Sequence, residues 1–303
     1  MEENRREFLK KLAITTVGIT GFFDFAKAFT LTKNDYFKIS LAQWSLHQSL
    51  FGGKLSNLDF PEKAKKDFDI DIVEYVSVFF NKKEGDKSYL NQLKQRTDDL
   101  GVLNHLIMVD GEGDLGNTDE KERQTAVENH YKWVETAKLL GCKSIRVNAS
   151  GSGSKEDVAL AAVDGLGKLT ALGKAHNINI IIENHGGYSS DGKWLSGVVR
   201  EVDSAYCGTL PDFGNFKISA TQEYDKYQGV KDLMPFAKGI SAKTFAFDKE
   251  GNETTIDYNR MFEIIKTAGW RGIVGIEYEG TGLSEDAGIR ATKRLLEKIK
   301  QGD

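Results

Sequence analysis

Glu183, Asp212 and Glu277 each close a short apolar run, in IIIE, CGTLPD and GIVGIE. Carboxylates are hard oxygen donors for divalent cations and competent general bases. A single one after an apolar run is often just a solvated strand end. Three gathered in one place repel one another unless positive charge stands among them. The first run continues as ENHGG, which adds Asn184 and His185 to whatever Glu183 joins, and ISAKTF places Ser241 and Lys243 at another such end. Their chemistry depends on whether the fold brings these ends together.

The chain has 303 residues and alternates short apolar runs with longer amphipathic stretches. The runs read as strands over 37–44, 71–78, 102–109, 144–149, 178–184, 206–212, 239–245 and 272–278. Between them DEKERQTAVENHYKWVETAKLLG is the clearest helix, with Ala126, His130, Trp133, Ala137 and Leu140 at steps of three and four and Gly141 as its stop. KEDVALAAVDGLGKLTALGKAHNI and SEDAGIRATKRLLEKIK behave alike, with Ser154 and Ser284 as N-caps. Eight strand–helix pairs predict an α/β protein, a single-domain (β/α)8 TIM barrel. An open doubly wound sheet would carry a glycine-rich phosphate loop after its first strand, and SLHQSLFGGKLSN has no such pattern. In a barrel the working face lies at the C-terminal strand ends, so Glu183, Asp212 and Glu277 converge on one rim.

Further rim positions follow from the same rule. Trp44 offers a flat face for a sugar ring or simply packs, and His47 follows it in QWSLHQSL. Glu74 and Arg146, within the second and fourth strands, line a pocket or pair inside the barrel. Asp110 ends the third strand, whereas His105 reads as an interior histidine and His130 and His176 as helix residues. GEGDLGN (111–117) has the composition of a rim loop that closes over substrate, or of an ordinary turn.

Composition bounds the partners. Hydrophobic residues make up 40% and charged residues 28%, which allows a sizeable core, and 3 prolines leave no proline-rich linker. A net charge of −4 provides no basic field for nucleic acid. Cys142 and Cys207 read as small buried side chains, with one disulfide as the alternative. Residues 1–28 carry Arg5-Arg6-Glu7-Phe8-Leu9-Lys10, a mostly apolar middle and Ala26-Lys27-Ala28, the parts of a twin-arginine-type signal peptide. The expectation is export, into a periplasm, without a stable membrane anchor, and a barrel over 29–303. Assembly into a homo-oligomer is left open.

From about Lys38 to Lys300 the chain resembles the xylose-isomerase-like barrel superfamily, through INIIIENHGG, GTLPDFGNF, GISAKTFAFD and GIVGIEYEG. The resemblance implies a divalent cation (Mn2+, Mg2+, Co2+ or Zn2+) on Glu183, Asp212 and Glu277, with Glu183 and Glu277 also exchanging protons with a carbohydrate substrate. The family's seventh-strand His is Ser241 here, and its D-x-x-H reads Asp212-Phe-Gly-Asn215. Water or His185, which shares a strand face with Glu183, is then left to complete the ligand set, unless His185 only packs on the glycine turn. Lys243, Asn215 and Ser241 join the rim positions His47, Trp44, Glu74, Arg146 and Asp110 as the expected substrate contacts. Lys243 is otherwise a structural partner of a rim acid. The implied activity is sugar isomerisation or epimerisation by proton abstraction beside a carbonyl. The same abstraction followed by β-elimination would make a lyase or deglycosidase of 3-keto-glycosides. A non-catalytic sugar-binding barrel is the alternative outside enzymology. DNA-repair nucleases share the superfold, but their zinc sites consume many histidines, and of the 5 present at least two read as helix residues.

Overall fold

A run of four to seven apolar residues buried on both faces needs cover on both sides, and parallel strands alternating with helices supply it. The computed structural model describes residues 36–302, so the signal-peptide reading of residues 1–28 lies outside the described part. The strands are β1 (Phe37–Ala42), β2 (Ile72–Val76), β3 (Leu103–Met108), β4 (Ser144–Val147), β5 (Asn179–Glu183), β6 (Cys207–Leu210), β7 (Ile240–Thr244) and β8 (Gly272–Tyr278). One longer helix follows each strand. They are α1 (Phe60–Phe68), α2 (Lys87–Leu100), α3 (Glu120–Leu140), α4 (Lys155–His176), α5 (Gly192–Val202), α6 (Lys226–Leu233), α7 (Tyr258–Thr267) and α8 (Glu285–Gln301).

All strand pairings are parallel, each strand joining the next from β1 to β6, with β8 joining both β1 and β7. Only the β6–β7 seam lacks a full ladder. Two bridges, Thr209 to Ala237 and Asp212 to Ser241, close it. The reason is Pro211, which has no N–H to donate and ends β6 one residue earlier. Its carbonyl still accepts from the Ser241 N–H at 3.0 Å. The eight strands and eight helices therefore form a nearly closed TIM barrel, as the alternation predicts.

The helix ends follow the sequence signals. Ser154 and Ser284 accept from the backbone N–H groups of Asp157 and Ala287, and Gly141 ends α3 at φ 81°. Beneath the C-terminal rim, Ala42, Val76, Leu106, Met108, Ile181 and Leu210 pack into one buried cluster inside the barrel. Gly275 in β8 leaves room for a polar neighbour. A Cβ there would stand 2.7 Å from Glu74 Oε2. Cys142 and Cys207 are both buried and free, so the disulfide alternative is not realised.

Candidate active site

Alternation along β5 puts Ile181 and Glu183 on one face, the first in the buried cluster and the second above it. Asp212 arrives from the loop after β6, and Glu277 from β8. One carboxylate oxygen from each lies within 4.8 Å of the other two, and all three residues are buried. Asp212 Oδ2 and Glu183 Oε2 accept no hydrogen bond and meet only ion-pair partners, Lys243 and Arg146. The other oxygens are held in place. Asp212 Oδ1 accepts from the N–H groups of Gly214 and Asn215, both at 2.7 Å. Asn215 Nδ2 donates to Glu183 Oε1 at 3.2 Å, and Ser241 Oγ donates to Glu277 Oε2 at 2.5 Å.

Two cations flank the trio. Lys243 Nζ stands 3.4 Å from Asp212 Oδ2, 3.6 Å from Glu277 Oε1 and 3.4 Å from Glu279 Oε2. Arg146 lies 2.8 Å from Glu183 Oε2 and 2.7 Å from Asp110 Oδ1. The negative charge is still in excess. Burial pushes Glu183 up to about 8 despite Arg146, with repulsion from Glu277 and Asp212 added. Burial also raises Asp212 against the pull of Lys243. For Glu277 burial acts upward too, yet Lys243, the Ser241 hydrogen bond and Arg146 outweigh it and hold this carboxyl below its ordinary range. Burial disfavours charge on Lys243 and Arg146, but the surrounding carboxylates outweigh it and keep both firmly protonated.

A cavity of about 390 Å³ reaches the trio at Glu277. Asp110, Arg146, His185, Glu277 and Glu279 form its ionic side, and Trp44, Phe51, Val76, Val78 and Met108 its apolar side. His185 is exposed at the rim, outside the carboxylate trio. Desolvation there, then Arg146, lowers its pKa. Asp110 bonds both Arg146 and Asn148.

Other expected contacts sit elsewhere. Glu74 is sealed inside the barrel, accepting from Ser40 Oγ at 2.5 Å, and does not line the cavity. It makes no ion pair with Arg146, which β4 directs to Asp110 and Glu183. His47 also stays off the cavity wall. Its ring stacks on Trp44 at 5.0 Å and its Nδ1 lies 2.8 Å from the Trp44 carbonyl oxygen. Trp44 Nε1 donates to Glu279 Oε1 at 2.5 Å. The 111–117 loop is tied down. Glu112 accepts from Trp133 Nε1 at 2.7 Å, and Gly116 N–H donates to the Ser150 carbonyl at 2.8 Å.

The sequence names Asn184 without a role and misses Glu279. Asn184 is a buried clamp: its Nδ2 donates to the carbonyls of Asp212 at 2.9 Å and Asn215 at 3.1 Å, while its Oδ1 accepts from the Asp212 N–H at 2.8 Å. Glu279 lies two residues past Glu277 and meets both Lys243 and Trp44. The period of two that put Glu277 on the rim also signals Glu279.

Residues 61–299 match the family described as xylose isomerase-like TIM barrel. The chain belongs to that family. Among solved xylose isomerase-like folds, the zinc-bound IolI protein is similar at TM-score 0.69 and 16% identity, over 88% of this chain and 98% of that one. A D-psicose 3-epimerase solved with D-fructose gives 0.66 at 12% identity, over 88% and 100%. The 3-keto-D-glucoside 4-epimerase YcjR from E. coli gives 0.62 at 14%, over 86% and 99%. These likenesses establish the fold. A search of curated proteins returned no match. Among the described residues no helix is long and apolar enough to cross a membrane.

Proposed function

We propose that this barrel is a divalent-metal sugar isomerase or epimerase, removing a proton from the carbon beside a carbonyl of a small carbohydrate. The observation that carries the reading is the approach of buried Glu183, Asp212 and Glu277 oxygens to within 4.8 Å of one another, with Glu277 opening onto the cavity. The donor set fits a hard cation: three buried carboxylates, two of them with an oxygen that accepts no hydrogen bond and meets only an ion-pair partner, Arg146 or Lys243. Glu183, Asp212 and Glu277 would hold the ion, and the cation, when bound, would polarise the sugar oxygens and ease deprotonation. The relatives named as sugar epimerases agree with this class.

The chain's own groups divide the remaining work. Glu183 comes from β5 and Glu277, which lines the cavity, from β8, and they take up and return the proton. Lys243 and Arg146 set positive charge beside these carboxylates, where charge develops on the sugar oxygens. Asn215 and Ser241, each bonded to one of the two glutamates, fix carboxylate orientation and so position the proton transfer. The site of action is a periplasm, reached through the leader.

Exchange in deuterated water tests the reading. The purified protein is incubated with a panel of ketoses and keto-glycosides, and NMR follows deuterium uptake at the carbon next to the carbonyl. Uptake that stops with chelator and returns with Mn2+ is expected. Turnover indifferent to chelator would overturn the reading.

A further inference from the structure

The ring of strands divides the cavity into two chemically different halves. The strands and loops from the end of β3 round to β8 supply Asp110, Arg146, His185, Glu277 and Glu279. The loop after β1, together with the end of β2, the turn after it and the last residue of β3, supplies Trp44, Phe51, Val76, Val78 and Met108. The deep part of that apolar half is continuous with the buried core, since Val76 and Met108 belong to it and Trp44 packs against it. The outer part lies in water. Phe51 is 60% exposed and Val78 48% exposed, two of only four large hydrophobic side chains left this open among the described residues. Phe51 is not a loose side chain. Its ring lies 4.9 Å from Phe79 and meets Trp44 edge-on at 6.1 Å.

Single exposed hydrophobics need no explanation, but two on the lip of one cavity form a patch continuous with its wall. A free sugar does not match it. Hydroxyls surround a sugar ring, and only its C–H faces are apolar. Pressed against Val76, Val78 and Met108, those hydroxyls would lose water without gaining partners. Facing the ionic half instead, the sugar would leave Phe51 and Val78 wet. A ligand polar at one end and flat and apolar at the other satisfies both halves.

We infer that the substrate is a sugar carrying a flat apolar substituent, an aryl glycoside in chemical class, whose sugar sits on the ionic half and whose aryl group lies on the Trp44–Phe51–Val78 wall. This rests on the carbohydrate reading above and narrows it. Aromatic contact and apolar burial of one ring make aryl over methyl worth roughly tenfold in affinity.

Calorimetric titration of the full chain with methyl and phenyl 3-keto-glucosides, and with phenol, tests this. The variants are Phe51→Ser and Val78→Ser, both at exposed positions, with thermal melts recorded to confirm folding. The expected result is a phenyl-to-methyl affinity ratio of about ten or more in the wild type, collapsing toward one in the double variant. A wild-type ratio near one, or a ratio that survives both substitutions, overturns the inference while leaving the sugar reading intact. Phenol binding as tightly as phenyl 3-keto-glucoside removes the sugar reading and the inference together. Absence of binding by all three compounds overturns the inference, and the ketose exchange assay then decides the sugar reading by itself.

Discussion

Replacing Asn184 with alanine should loosen Asp212 without touching any carboxylate. The Asn184 amide makes three buried hydrogen bonds, to the Asp212 carbonyl at 2.9 Å, the Asn215 carbonyl at 3.1 Å and from the Asp212 N–H at 2.8 Å. A net hydrogen bond contributes about 0.5–1.5 kcal/mol, and a buried donor left alone costs about 1–3 kcal/mol. The Asn215 carbonyl keeps a second donor, Ser190 Oγ at 2.8 Å, so its loss is partial. The Asp212 N–H loses this partner at a buried position. The sum is roughly 3 kcal/mol, or a fall in Tm of about 6–10 °C for a barrel of this size. Because Asp212 is positioned by this clamp, Mn2+ affinity should drop about 10–100-fold, as for other groups that orient a metal ligand. Differential scanning calorimetry and Mn2+ titration read the two effects. A Tm within about 1 °C of wild type, with unchanged Mn2+ affinity, would refute the clamp.

Further outcomes follow from other parts of the barrel. Burial raises Glu74 to about 8 from its ordinary 4.5 although the Ser40 hydrogen bond opposes the shift, so the native carboxyl stays protonated where the unfolded one ionises. Its contribution is whole below pH 4.5 and is lost as pH rises through the window to about 8. Glu74→Gln should therefore gain on wild type by roughly 2.5 kcal/mol between pH 5 and pH 7 in urea unfolding, and parallel pH profiles would contradict this. Gly275→Ala puts a methyl 2.7 Å from the Glu74 carboxylate and should destabilise by about 1–3 kcal/mol, seen as a lowered Tm; an unchanged melt would argue against that crowding. Arg5→Lys with Arg6→Lys should retain the full-length precursor inside cells on fractionation, and undiminished export would remove the twin-arginine reading.

The alternation of apolar runs and amphipathic helices made the barrel legible, because each strand is covered on both faces and so reads as a block. Boundaries were less so. The first strand was expected to reach Trp44 but stops at Ala42, because Gln43 turns inward. Its Oε1 accepts from the Val76 N–H at 2.9 Å and its Nε2 donates to Asn57 at 2.7 Å, long-range bonds with no local signal. The sixth strand stops short at Pro211, a visible signal that an apolar run outweighed. The meeting of Glu183, Asp212 and Glu277 followed from strand ends and barrel closure. Which neighbours face the cavity did not follow. Glu74 and His47 have the right residue types near the right strands, yet one is sealed in by Ser40 and the other is turned onto Trp44. Phe51 lies in a segment without periodicity, and Val78 reads as the end of the second strand, which the structure stops at Val76, so nothing local marks either as a wall.

A titration of the metal-stripped protein with Mn2+, followed by electron paramagnetic resonance, addresses the carboxylate trio most directly. The account predicts one tightly held ion per chain, with affinity falling at least tenfold in each of Glu183→Gln, Asp212→Asn and Glu277→Gln. Binding that is absent, or that is indifferent to all three substitutions, would contradict it.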